Sequence, residues 1–210
     1  MINVLVVDDH SIIRKGIKQL LQDTQDMRVT GEAQSGADAL QLARENDYHV
    51  VLLDISMPQD HGIDVLKQLR SMRPNLPVII LSMYPEEQYA VRSLKAGAAG
   101  YINKQWALAQ LVTAIRQVAG GKKYISNELA MQLADNLSNG HLEHPHHALS
   151  HREYQTLCLI ASGKKLSEIA EAMSLSTKTV SVYRARLLEK MNLKTNAELI
   201  HYAITHQLVI

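Results

Sequence analysis

Residues 50–58 read VVLLDISMP. Four aliphatic residues run without polar alternation into a carboxylate. A strand with one wet face alternates apolar and polar side chains, whereas an unbroken apolar run suits a strand covered on both faces, as in a parallel sheet. Candidate strands along the first 120 residues, rich in Val, Ile and Leu with little polar alternation, are Asn3–Val7, Val29–Ala33, Val50–Leu53, Val78–Leu81 and Gly100–Ile102. Stretches of helical period lie between these runs. Ser11–Leu21 sets Ile12, Ile13, Ile17, Leu20 and Leu21 on one expected face, and Gly36–Arg44 does the same with Ala39, Leu40 and Leu42. Gly62–Met72, Glu86–Ala96 and Ala107–Ala119 continue the pattern. Strand then helix, five times over, predicts an α/β domain with a doubly wound five-stranded parallel sheet over residues 1–120.

Sheets of this kind bind ligands at the carboxyl ends of their strands. Asp8 and Asp9 follow the first strand and Asp54 follows the third, which are neighbours in a doubly wound order. Crowded carboxylates repel one another unless a cation joins them, and Mg²⁺, a hard ion taking one or two carboxylates and several waters, suits the position. The fourth strand ends in Ser82 and the fifth leads into Asn103 and Lys104, a hydroxyl and an ammonium. The set makes chemical sense for phosphoryl transfer to a carboxylate. Asp54 would be the nucleophile, the ion and Lys104 would neutralise the transferring oxygens, and Ser82 would donate a hydrogen bond. Taken singly, each of these residues also fits a structural ion-pair network, or N-capping by Asp9. The run Gly97–Ala98–Ala99–Gly100 lacks phosphate-loop spacing and reads as a turn into the fifth strand.

Residues 121–148 change character and read as a linker, with a possible helix at Ser126–Leu137 followed by a Ser, Asn, Gly, Pro and His-rich stretch. His141, His144, His146, His147 and His151 are metal-ligand types, but a linker gives them no supporting partners. From residue 149 to 210 every pattern is helical. Ser150 with Glu153 three residues on forms a capping-box signature. A helix then stops near Gly163, a short one spans Ser167–Met173, Ser176 caps a longer one to Met191, and a last helix covers Asn196–His206.

Residues 148–210 carry eight Lys/Arg against five Asp/Glu, while the rest of the chain is slightly acidic. A polyanion partner at that end is compatible with this balance, as is plain solvation. The one cysteine, Cys158, excludes a disulfide framework and reads as a small core residue. No stretch approaches the roughly 20 apolar residues of a membrane span. The N-terminal MINVLVVDD lacks a signal-peptide layout, so the expected location is cytoplasmic.

VVDDH at 6–10, LLDISMP at 52–58 with Gly62, LS at 81–82 and YINK at 101–104 together resemble the receiver domain of two-component response regulators. The resemblance implies a flavodoxin-like fold and a protein that is not an enzyme on a separate substrate. It implies that Asp54 takes phosphate from a histidine kinase. Asp9, Asp54 and the backbone carbonyl of Ser56 would bind Mg²⁺ directly, with Asp8 acting mainly through water. Ser82 and Lys104 would grip the phosphoryl group, and Tyr101 would be the aromatic switch that turns inward when Ser82 moves. Gln105 departs from the proline that many members carry after this lysine.

Residues 149–199 resemble the LuxR-type domain of NarL/FixJ regulators, the run SEIAEAMSLSTKTVSVY above all. Ile169, Ala170, Met173, Leu175, Val180 and Leu187 would pack two helices across a tight turn, the second entering the major groove. On the helix 177–191, Val180, Tyr183, Leu187 and Met191 are expected to face the core. Thr177, Lys178, Ser181 and Val182 would face bases, while Arg184, Arg186, Lys190 and Lys194 would meet phosphates. The family often has basic residues at the positions of Ser181 and Ala185, and histidine at that of Tyr183. The last helix of such domains commonly dimerises. Leu199, Ile200, Ala203 and Ile204 form its apolar stripe, which also suits intramolecular core. The implied partners are a histidine kinase, double-stranded DNA bearing an inverted repeat, and a second copy of the chain. The leading reading is a phosphorylation-controlled transcription regulator. Its alternatives are a phosphorylation-dependent adapter acting through protein contacts and a stand-alone α/β phosphatase using Asp54.

Overall fold

A computed structural model describes residues 1–57, 62–83, 86–104, 107–131 and 145–209. Two compact units emerge from its packing, Met1–Leu133 and Ala134–Ile210.

The first unit alternates β1 (Ile2–Val7), α1 (Ser11–Gln22), β2 (Met27–Ala33), α2 (Gly36–Glu45), β3 (Val50–Asp54), α3 (Gly62–Met72), β4 (Val78–Ser82), α4 (Glu86–Lys95), β5 (Gly100–Asn103) and α5 (Ala107–Ala119). All four strand pairings are parallel, in the order β2-β1-β3-β4-β5. Every residue of β3 and β4 is buried, because helices cover both faces of the sheet. Val4, Val6, Val50, Leu52, Ile79, Leu81 and Ile102 share one core with Ile17 and Leu21 of α1 and Leu111, Ala114, Ile115 and Val118 of α5. The intervening residues of each strand point to the opposite face, since strand side chains alternate.

Ile12 departs from the expected face of α1 and is 78% exposed. At 100° per residue it lies about 80° or more from Ile13, Ile17, Leu20 and Leu21, which puts it past the edge of the buried stripe. Gly62 meets a steric demand: a Cβ there would sit 2.4 Å from Ile55 Cα and 2.6 Å from the Asp54 carbonyl oxygen. Only glycine lets α3 start this close to the end of β3.

The stretch read as a linker from residue 121 starts as part of the first unit. Tyr124 bridges Gly100 in parallel register, its N–H donates to the Ala99 carbonyl at 2.8 Å, and Leu129 is buried. The edge of β5 has unpaired backbone groups, and this segment satisfies some of them. A helix runs over 127–131; the remainder of the expected helix to Leu137, together with His141, His144 and Gln105, lies outside the described residues.

In the second unit a 3-10 helix, Pro145–Ala148, precedes α6 (His151–Ala161), α7 (Leu166–Ala172), α8 (Thr177–Met191) and α9 (Asn196–Thr205). Ser150 and Glu153 form the expected capping box on α6, Ser176 accepts from the Thr179 N–H to cap α8, and Thr195 with Glu198 caps α9. Asn192 closes α8 in the left-handed conformation, φ 53°, which asparagine tolerates at a helix end. Leu157, Ile160, Ile169, Val180, Leu187, Leu199 and Ala203 form the core.

His146 corrects the linker reading. It is 6% exposed, its Nδ1 lies 2.8 Å from Tyr202 Oη, and its ring packs edge-on against Tyr202 and His206. An imidazole with a phenol partner and aromatic neighbours is a core residue, and its Nδ1 is already engaged. Cys158 is half-buried, with Sγ 3.9 Å from the Leu208 carbonyl oxygen.

Candidate functional site

The sheet register sets the site. Val7 is paired with Leu53, Asp54 with Leu81, and Ser82 with Asn103. The residues at or just past those ends, Asp8, Asp54, Ser82 and Lys104, therefore meet along one edge of the sheet, where the strand order reverses between β1 and β3. Asp8, Asp54 and Ser82 are fully buried.

Lys104 crosses the cluster. Its Nζ is 2.7 Å from Asp8 Oδ2 and 2.8 Å from Asp54 Oδ2, and its N–H donates to the Ser82 carbonyl at 2.7 Å. Burial works against the ammonium, but Asp54 and Asp8 outweigh it and raise its pKa. Burial pushes the Asp54 carboxyl up, and the Asp8 charge adds to that. Lys104 and the Ser56 N–H, which donates to Asp54 Oδ1 at 2.9 Å, pull the other way without cancelling it. One ammonium thus serves two buried carboxylates, and the cluster stays short of positive charge.

Two carboxylate oxygens show that shortage directly. Among the described residues, Asp9 Oδ1 and Asp54 Oδ2 are out of reach of solvent and meet no aligned hydrogen-bond donor. Lys104 Nζ faces Asp54 Oδ2 at 2.8 Å as an ion pair shared with Asp8, and His10 Nδ1 faces Asp9 Oδ1 at 2.9 Å. Buried acceptors left this way call for a further cation. One donor atom each from Asp8, Asp9, His10 and Asp54 falls within 4.8 Å of the others. Three of the four are carboxylate oxygens, which fits Mg²⁺.

The residues singled out in sequence therefore converge: Asp8, Asp9, Asp54, Ser56, Ser82 and Lys104 gather at the carboxyl ends of the strands. Tyr101, expected to turn inward on activation, is already buried here, as are Gly100 and Ile102 of the same strand. His10 was not picked out in sequence. Its signal was only its place next to Asp8 and Asp9.

On α8, Thr177, Lys178, Ser181, Ala185 and Arg186 are exposed, and Val182 presents an apolar side chain to solvent on the same side. Val180, Leu187 and Met191 are buried as expected, while Tyr183 is only half-buried. Two of the expected phosphate contacts also have partners within the unit. Lys190 Nζ lies 2.7 Å from Glu153 Oε2, and Arg184 Nε donates to Asn196 Oδ1 at 2.6 Å. Lys194 is exposed. The stripe on α9 divides: Leu199 and Ala203 are fully buried inside the unit, Ile200 is half-buried, and Ile204 is 61% exposed. Leu199 and Ala203 are spent on the core and drop out of the expected dimer surface.

Residues 4–116 match the model of the response regulator receiver domain, and residues 147–203 that of the bacterial regulatory proteins of the luxR family. The chain is 40% identical over 209 residues to response regulator UvrY of Escherichia coli (strain K12), covering 99% of this chain and 96% of that protein. It is 40% identical over 210 residues to response regulator GacA of Pseudomonas aeruginosa, covering 100% and 98%. Among solved structures, the RcsB response regulator of Salmonella typhimurium superposes with a TM-score of 0.71 at 26% identity over 97% of each chain. RcsB from Salmonella enterica serovar Typhimurium bound to promoter rprA in the presence of the phosphomimetic BeF3- gives 0.68 at 27% identity, over 96% of this chain and 98% of that one.

Proposed function

The chain belongs to the response regulators that join a receiver domain to a LuxR-type DNA-binding domain, and on that premise we propose that phosphorylation of Asp54 controls DNA binding by the second unit. The observation that carries the reading is Lys104, whose ammonium bridges Asp8 and Asp54 from a third strand end beside a buried Ser82. An Asp54 oxygen attacks phosphorus as the bond from a kinase phosphohistidine nitrogen breaks. The acyl phosphate then carries about −1.5 to −2 charge into a pocket that already lacks cations. Lys104 transfers part of its ion pairing to the phosphoryl oxygens, and the Ser82 hydroxyl donates to them. Because Ser82 ends β4 and Lys104 directly follows β5, the change is felt along those strands. Asp9, Asp54 and the Ser56 carbonyl would hold Mg²⁺, with Asp8 through water, and the ion would neutralise charge on the transferring oxygens. The chain has no separate substrate, and hydrolysis of its own acyl phosphate resets it.

Thr177, Lys178, Ser181 and Val182 face base edges, and Arg186 and Lys194 meet phosphates. Ile200 and Ile204 are what α9 retains for a second copy. The RcsB–promoter complex and its companion with two RcsB dimers on DNA support DNA as the partner and a dimer as the bound form. An adapter acting through protein contacts is the second reading, favoured by the engagement of Lys190 and Arg184 within the unit.

Capture of fragmented genomic DNA by the purified protein, with and without beryllium fluoride and Mg²⁺, tests both readings. Enrichment of an inverted repeat only with the mimic supports the switch. Equal enrichment in both states removes the switch and keeps DNA binding. No enrichment in either state, or no dependence of affinity on salt, favours the adapter. Asp54→Asn must abolish phosphate incorporation; continued incorporation would sink the assignment.

A further inference from the structure

We propose that His10 is a nitrogen ligand of the receiver's metal site, and that it makes this chain hold a first-row transition ion such as Mn²⁺ more tightly than Mg²⁺. The inference rests on the reading of the acidic pocket as a metal site. Among the described residues it adds the one metal-ligating donor there that is not an oxygen.

The placement of the ring is specific. The His10 N–H donates to Asp8 Oδ1 at 2.9 Å, which holds the backbone against the cluster. The ring then turns back over the same carboxylates, with Nδ1 2.9 Å from Asp9 Oδ1 and 3.2 Å from Asp8 Oδ1. Helix formation does not explain this residue. His10 occupies the N-cap of α1 and its side chain makes no capping bond, although Ser, Thr, Asp or Asn would cap there. The ring is 62% exposed, so it is free of core packing and costs little to reorient.

The spacing is compatible with a single ion. Donors around an octahedral ion with bonds of about 2.1 Å lie within about 4.2 Å of each other, and the Asp8, Asp9, His10 and Asp54 atoms already fall within 4.8 Å. Asp9, His10 and Asp54 are thus close enough to share one ion, with Asp8 reaching it through water. Mg²⁺ selects oxygen and gains little from an imidazole, whereas affinity of a mixed nitrogen–oxygen site climbs along the first-row series. His10 therefore tunes which metal is held, and Asp9 and Asp54 supply the charge that holds either.

The test is pulsed electron paramagnetic resonance of the full-length protein loaded with substoichiometric Mn²⁺, reading hyperfine coupling to a directly bound ¹⁴N nucleus. Coupling is expected in the native chain and lost in His10→Ala and His10→Gln, the latter keeping a polar side chain at the N-cap. Asp54→Asn should release Mn²⁺ from this site, which separates it from the nine other histidines. In competition titrations His10→Ala should weaken Mn²⁺ by about tenfold or more, since even outer-sphere partners of a metal are worth that much, and should change Mg²⁺ by less than about twofold. Bound Mn²⁺ without nitrogen coupling, or coupling that survives His10→Ala, overturns the inference and leaves the phosphoacceptor reading intact. Failure of the native chain to bind either ion overturns both.

Discussion

Lys104 is the residue on which the pocket's electrostatics turn. Removing one partner of a buried ion pair strands the other charge, and such losses cost about 3–5 kcal/mol. Lys104→Met leaves Asp8 and Asp54 facing one another without an ammonium. Unfolding by urea in the presence of a chelator should show a loss of about 3 kcal/mol, part of which returns on adding Mg²⁺. An unchanged denaturation midpoint would mean that the carboxylates are already neutralised another way. At the same scale, sequence reading named Asp8, Asp9, Asp54, Ser82 and Lys104 because each stands at a strand end that the apolar runs marked out. It overlooked His10, because a histidine next to two aspartates has no pattern of its own until the ring is seen to turn back on them.

At the level of elements, α6 and α8 are held together by one acidic group. Glu153 caps α6 through the Ser150 N–H at 2.7 Å and pairs with Lys190 of α8. Burial works to raise the Glu153 carboxyl, but Lys190, the Ser150 N–H and the Ser150 hydroxyl together hold it below the usual glutamate range. A carboxyl depressed on folding contributes stability that is present above its unfolded pKa and lost as pH falls through its folded value. Thermal melts of the native chain should thus drop more steeply on acidification below the ordinary glutamate range than those of Glu153→Gln. The loss of the cap itself, in Ser150→Ala, should cost about 1 kcal/mol at neutral pH.

The same contacts sort the basic residues of α8. Arg186→Ala should weaken DNA binding and lower the salt slope by about one, as expected for a lost phosphate contact, whereas Lys178→Ala should relax the sequence preference. Lys190→Ala should show itself first as a lower melting temperature, because it strands buried Glu153. If Lys190→Ala affected DNA alone, the pairing in the structure would not persist in solution. On α9, Leu199→Ala opens a cavity in the core and should cost about 2–5 kcal/mol. Ile204→Glu should leave stability nearly unchanged and weaken self-association, measured by sedimentation velocity with beryllium fluoride.

For the whole molecule, phosphorylation has to act through the first unit on a DNA-binding unit with its own core. The expected outcome is a monomer that becomes a dimer when beryllium fluoride and Mg²⁺ are added, and that stays monomeric as Asp54→Asn under the same conditions. A dimer of equal strength in both proteins would separate association from phosphorylation. Sedimentation velocity across a concentration series decides between them.

What the sequence by itself determined here is what depends on backbone period. The five expected runs became the five strands to within two residues of their expected ends; β3 and β4, covered on both faces, have no polar positions inside the run to blur it, while the edge strand β2 alternates buried and open positions. The capping box of α6 was legible because its two partners lie three residues apart, a distance set by the helix itself. Tertiary structure alone decided which long side chains were spent internally. Lys190 reaches Glu153 across 37 positions, His146 reaches Tyr202 across 56, and Lys104 reaches Asp8 across 96. It also decided that Ile12 and Ile204 face solvent while Leu199 and Ala203 do not. Helical period gives the spacing of an apolar stripe, but the depth at which a neighbouring element covers it is set by packing. The partner of a flexible lysine is likewise chosen by whichever segments the fold brings within a few ångströms.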